Sequence, residues 1–139
     1  MRLVMLLPLF IAINAPLAQQ ARADGGVVVI GHSGLERIDP TTVQKIYTGR
    51  VVEVGGISVK PINASAGSTT RQRFLQVFLN QDDENYIAYW TVRRYIGKGV
   101  PPKEAASASE VIRYVQSTPG AIGYIDESSV TPGLNIVAR

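Results

Sequence analysis

Val59-Lys60-Pro61-Ile62-Asn63-Ala64-Ser65-Ala66-Gly67-Ser68-Thr69-Thr70-Arg71-Gln72-Arg73-Phe74-Leu75-Gln76-Val77-Phe78-Leu79 falls into three successive blocks. The first belongs to a short β-branched run, Ile57 to Ile62, of the kind that sits in a sheet. Small or polar residues follow from Asn63 to Thr69. A helical pattern comes last, with Phe74, Leu75, Val77, Phe78 and Leu79 crowding one side and Arg71, Gln72, Arg73 and Gln76 mostly off it. Strand, small-residue loop and helix start together form an arrangement that can hold an anion. The first N–H groups of a helix lack intrahelical acceptors, and the macrodipole makes that end partly positive. Ser68, Thr69 and Thr70 add hydroxyls there, and Arg71 adds a full charge, so these four residues are the candidate oxyanion site. The same pattern also describes a well-capped helix with Ser68 as N-cap. No G-x-x-x-x-G-K-[ST] is present, which removes a nucleotide P-loop.

Upstream of this stretch, Met1 to Ala23 reads as a secretory signal. Arg2 gives a minimal positive start, Leu3 to Ala15 is apolar apart from Pro8 and Asn14, and Ala21-Arg22-Ala23 fits the small-x-small cleavage rule. Asp24 is then the expected mature N-terminus, and residues 24–139 the mature domain. The apolar run is too short to span a bilayer comfortably, and no other approaches about 18 residues. The expected location is the periplasm, with no membrane-embedded part after cleavage.

Loss of the leader changes the charge argument. The chain has 14 Lys and Arg; without Arg2 and Arg22, 12 remain against 11 Asp and Glu, a net +1 rather than +3. Nucleic-acid binding is therefore not expected. With no cysteine there is no disulfide framework and no thiol nucleophile. His32 is the single histidine, so Ser33 in Gly31-His32-Ser33-Gly34-Leu35 has no downstream base, and Leu35 replaces the last glycine of a nucleophile elbow. The adjacent carboxylates Asp126 and Glu127 point to opposite sides of an extended chain and suit no paired acid–base role. No enzyme, metal or cofactor is expected.

The remaining elements follow from local signals. Val27 to Ile30 reads as a strand buried on both faces, with Gly31 to Gly34 as a loop at its C-terminal end, where ligands often sit in α/β folds. Asp39-Pro40 is an N-cap followed by Pro at N1, and Gly49 stops that helix. Gly55-Gly56 is a strong turn. Asn80-Gln81-Asp82-Asp83 breaks the chain and caps a helix whose aromatics, Tyr86, Tyr89 and Trp90, read as core. Ile96 to Lys103 is the clearest loop. Ser107 or Ser109 starts a further helix, followed by strands at Ala121 to Ile125 and Leu134 to Ala138.

Four pieces, in order, resemble the periplasmic phosphate-binding proteins of ABC transporters and the small single-lobe proteins similar to them. They are Val43-Gln44-Lys45-Ile46-Tyr47-Thr48-Gly49-Arg50, Gly67-Ser68 with Phe74, Gly97-Lys98-Gly99-Val100-Pro101-Pro102, and Pro119-Gly120-Ala121-Ile122-Gly123-Tyr124-Ile125. The resemblance implies an α/β fold: a single lobe of the periplasmic-binding-protein type II kind, a small sheet flanked by helices. It implies inorganic phosphate or a similar oxyanion as ligand at Ser68, Thr69 and Thr70, and an ABC transporter permease as partner. Two departures bear on function. Thr69 stands at a position where glycine is common, and Ser65 stands where an arginine is common. The chain also matches one lobe only, which leaves an anion wet and its hydrogen bonds worth about 1 kcal/mol or less each. The alternative is a lobe reused as a protein-interaction module with no small ligand, contacting an envelope protein or a second copy of itself.

Overall fold

The computed structural model describes residues 26–139; the expected signal segment, 1–23, and its cleavage point lie outside them. The elements are β1 (Val27–Gly31), α1 (Pro40–Tyr47), β2 (Glu53–Val54), β3 (Ile57–Ser58), β4 (Lys60–Ala64), α2 (Thr69–Phe74), α3 (Asp83–Tyr95), β5 (Lys103–Ala105), α4 (Ala108–Ser117), β6 (Ala121–Asp126) and β7 (Asn135–Ala138). Five strands form one sheet in the order β5-β4-β6-β1-β7, and β2-β3 is a separate hairpin. β4 runs parallel to β5 and β6, whereas β1 is antiparallel to both β6 and β7.

Alternation along the strands divides the interior into two layers. On one face Val27, Val29, Ile122, Tyr124 and Val137 meet α1, α2 and α3 through Tyr47, Phe74, Tyr86 and Trp90. On the other, Val28, Ile30, Ile62 and Ile125 meet α4 through Val111 and Val115. The sheet is thus covered on both sides, as the unbroken apolar run of β1 requires. The helix starts follow their caps: Asp39, Ser68, Asp82 and Ser107 each accept a backbone N–H three residues on.

Three expectations are corrected. The strand expected at Ile57 to Ile62 is two strands. The turn at Gly55 and Gly56, both with positive φ, folds Ile57 back onto Val54, and the chain crosses into the main sheet only at Lys60. Lys103, placed in a loop by its Gly- and Pro-rich approach, begins the edge strand β5. Finally, the helix after Ser68 does not continue evenly. It widens into a π-helical turn, Leu75–Leu79, that ends at Asn80 with φ 50°. The widened turn keeps Leu75, Phe78 and Leu79 in the core and turns Val77 out to solvent.

Gly120 sets one further contact. Its φ is +77°, and a Cβ there would lie 2.1 Å from the carbonyl oxygen of Ser58, in the backbone turn that aligns β4 with β6 through Lys60 N–H to Gly120 O at 2.9 Å. Gly120→Ala combines a left-handed backbone with a clash against main chain, and is expected to cost about 2–3 kcal/mol. A lowered urea midpoint with an unchanged slope checks it; an unchanged midpoint would contradict it.

Candidate functional site

Strand direction decides what can meet the start of α2. β4 runs parallel to β6, so Ala64 and the loop after it emerge at the Asp126 end of the sheet. β1 runs the other way, pairing Val27 with Asp126 and Gly31 with Ile122. The Gly31–Gly34 loop therefore sits at the opposite end, where the His32 N–H donates to Ala121 O and His32 Nδ1 lies 3.0 Å from Val115 O. It does not share a site with Ser68.

The end of β4 is held by a buried polar cluster. Asn63 Nδ2 donates to Tyr86 Oη at 3.1 Å, and Asn63 Oδ1 accepts from Tyr124 Oη at 3.0 Å. Tyr124 Oη in turn accepts the Ala64 N–H at 3.0 Å. Tyr86 Oη donates to Tyr47 O, and Tyr47 Oη to Ile62 O. Phe74 stacks on Tyr124 with ring centroids 3.8 Å apart. Burial raises the pKa of each of these three tyrosines, most strongly Tyr47 and Tyr124, so they act as neutral hydrogen-bonding groups.

From this anchored end the loop turns through Gly67, at φ +77°, into Ser68. Ser68 Oγ accepts the Arg71 N–H at 3.3 Å. Thr69 and Thr70 occupy the first two helical positions, whose N–H groups lie outside the helical ladder. Thr69 is exposed, and Thr70 Oγ1 donates to Asp126 Oδ2 at 2.9 Å. Ser68 and Thr70 line a small pocket of about 80 Å³ together with Ser65, Ser107, Ala108 and Tyr124, room for a few water molecules. Two helix starts, those of α2 and α4, open onto it.

Arg71 is placed differently from its neighbours. Its side chain is buried, 4% exposed. Nε and Nη2 both reach Asp83 Oδ1 at 2.8 Å, while Nη1 donates to Glu104 at 3.0 Å and to Ala64 O at 3.3 Å. The same carboxylates take the loop's own donors: Ala66 N–H goes to Glu104 at 2.7 Å and Gly67 N–H to Asp83. The structure thus brings Ser68, Thr69 and Thr70 together at an accessible helix start and commits Arg71 to internal carboxylates. Of the two helix starts the sequence offers, Ser107 and Ser109, the structure uses Ser107. Its convergence with Ser68 depends on the parallel pairing of β4 and β5, which no local signal carries.

Two larger depressions lie outside this pocket, and the smaller is lined in part by Ala66, Arg71 and Glu104. A groove of about 940 Å³ follows Gln72, Gln76, Asn85 and Tyr89, and a cleft of about 390 Å³ lies between α3 and Pro101-Pro102. Among the described residues no cluster of His, Cys, Asp or Glu could hold a metal ion, and no helix is long and apolar enough to cross a membrane.

A protein of Clostridium perfringens assigned as a phosphate ABC transporter substrate-binding protein, solved with bound phosphate, aligns at TM-score 0.64 and 20% identity. An ABC-type phosphate transport receptor from Vibrio cholerae aligns at 0.55 and 16%, and PstS from Borrelia burgdorferi at 0.59 and 22%. The fold is that of a phosphate-binding-protein lobe. Each alignment covers 81% of this chain but only 44%, 45% and 46% of the respective partner, so the chain spans less than half the length of these proteins. No protein-family model and no curated protein sequence matches the chain.

Proposed function

We propose that this chain is an exported solute-binding lobe of the phosphate-transport type. It takes phosphate or a similar oxyanion at Ser68, Thr69 and Thr70, acting in the periplasm after cleavage near Asp24. The observation that carries this reading is the pocket on which the α2 and α4 starts converge, lined by Ser65, Ser68, Thr70 and Ser107. Fixed hydroxyl and N–H donors replace the hydration of an oxyanion better than mobile groups do. Arg71 serves by holding the Ala64–Gly67 loop, with its charge balanced by Asp83 and Glu104. An ABC permease is the partner this reading implies, and the match to solute-binding proteins favours transport over catalysis.

Thermal melts with millimolar phosphate, against chloride at matched ionic strength, test it. Ligand at 100 times its dissociation constant adds about 2.7 kcal/mol, a rise of several degrees for a domain of this size. Ser68→Ala should weaken phosphate binding by about 1–3 kcal/mol; calorimetric titration reads this separately from the loss of the cap. No phosphate-specific rise, or an affinity indifferent to Ser68, would sink the assignment.

A second reading is favoured by a specific observation: Asp83 and Glu104 already occupy Arg71 and the Ala66 and Gly67 N–H groups. A lobe whose loop is satisfied by its own carboxylates suits a protein-interaction module without a small ligand. An absent phosphate response, with specific capture of an envelope protein or a second copy of the chain, would favour it.

A further inference from the structure

We propose that the tip formed by the end of α3 and the loop after it, residues 93–103, docks onto an anionic phospholipid surface. Tyr95 is 91% exposed, Ile96 57% and Val100 67%, three large apolar side chains within six residues. Arg93, Arg94, Lys98 and Lys103 are interleaved with them, and no acidic residue occurs between Asn85 and Lys103. Apolar side chains that enter a headgroup region, ringed by cations that meet its negative potential, are the two components of interfacial binding.

The tip is built rather than loose. Ile96 N–H donates to Val92 O at 3.0 Å, Gly97 N–H to Arg94 O at 3.1 Å and Lys98 N–H to Arg93 O at 2.8 Å, which closes the carbonyl end of the helix. Arg93 lies over the rings of Tyr89 and Trp90, 5.5 and 5.6 Å from their centroids, and so roots the tip in the body of the lobe. Lys103 lies over Tyr114. Among the described residues neither Arg94 nor Lys98 pairs with a carboxylate. The nearest acidic group in sequence, Glu104, is held by Arg71, and Asp82, Asp83 and Glu84 lie at the other end of α3, about 15–20 Å away along its axis. The charge of the tip thus faces outward.

Charge complementarity selects an anionic surface. Exposed apolar side chains, set beside cations that pair with no carboxylate among the described residues, suit the headgroup region of a lipid interface, which takes both. Arg94 also lines the 390 Å³ cleft beside Pro101 and Pro102, whose far side carries Arg71 and Glu104. This inference does not depend on the oxyanion reading, because none of these residues belongs to the Ser68–Thr70 pocket.

The chain has no cysteine, so Val100→Cys in the full chain carries one environment-sensitive fluorophore. With vesicles of roughly equal phosphatidylglycerol and phosphatidylcholine, the label at position 100 should shift to the blue and brighten. The same label at Val52→Cys, an equally exposed position at 68%, should not. Arg94→Glu with Lys98→Glu should reduce the partition coefficient about tenfold or more, as should about 1 M salt, where the screening length is ~3 Å. Tyr95→Ser, which leaves the charges intact, should lower it about fivefold. Absence of a shift at position 100 would overturn the proposal. So would an equal shift with pure phosphatidylcholine, an equal shift at position 52, or a response that charge reversal leaves unchanged.

Discussion

Arg71→Met should lower the unfolding free energy by about 3–5 kcal/mol, the cost of removing one member of a buried ion pair. The guanidinium is the only positive group that Asp83 meets in an ion pair among the described residues, and that carboxylate is itself only 15% exposed. Removing Arg71 leaves Asp83 largely desolvated, frees half-exposed Glu104, and unties the Ala64 carbonyl at the mouth of the loop. Tyr86 also loses the cation 5.1 Å from its ring centroid. The melting temperature should fall by about 10–25 °C on the usual scale for small domains. Arg71→Lys should recover part of the loss, because it keeps the charge but not the fork that reaches both carboxylates. If Arg71→Met instead melted like the parent and lost only phosphate response, the arginine would be a ligand after all, and its pairing with Asp83 secondary.

The second large effect is alkaline. Tyr47 and Tyr124 are held neutral by burial, with pKa values raised above the ordinary tyrosine value, while the same groups in an unfolded chain ionise near pH 10. Above that pH the native state keeps protons that the unfolded state gives up, so stability falls as pH rises toward the folded values. Their contribution is fully present below pH 10. Each such group lowers stability by up to about 1.4 kcal/mol per pH unit while it is ionised in the unfolded chain and neutral in the folded one. Urea melts above pH 10 should show the loss, and Tyr47→Phe and Tyr124→Phe should each flatten the slope while costing stability at pH 7. A stability that held constant from pH 10 to 12 would contradict the assignment.

The parts of this structure that were legible in the sequence are those governed by neighbours along the chain. Asp39, Ser68, Asp82 and Ser107 start helices because each places an oxygen within reach of an N–H three residues on. Gly55-Gly56 makes a hairpin because both positions require positive φ. The run at Val27 predicts cover on both faces. The lobe architecture was reached through four short pieces in order, and the solved neighbours share that fold.

What was not legible depends on partners far away. Arg71 reads as a charge offered to an anion in a first helical turn until Asp83 and Glu104, 12 and 33 residues later, close around it. β5 has three residues, Lys-Glu-Ala, and exists because β4 offers it a parallel edge. The end of the sheet at which Gly31–Gly34 lies follows from strand direction, which periodicity does not encode. At the candidate site, the Ser68 cap was local and readable, whereas the convergence of the second helix start on its pocket was not.

The strand order has a consequence for how the chain acquires its structure in time. β6 lies at the middle of the sheet, and β1, made first, pairs only with β6 and β7. Val27 therefore waits for Asp126 before either has a partner. Such distant pairings close large loops before they are rewarded, and they fold on the slow side, in milliseconds to seconds. A chain synthesised or threaded from its N-terminus has no central sheet until nearly its whole length has emerged. Until then β1 and β4 lack the central strand that joins them.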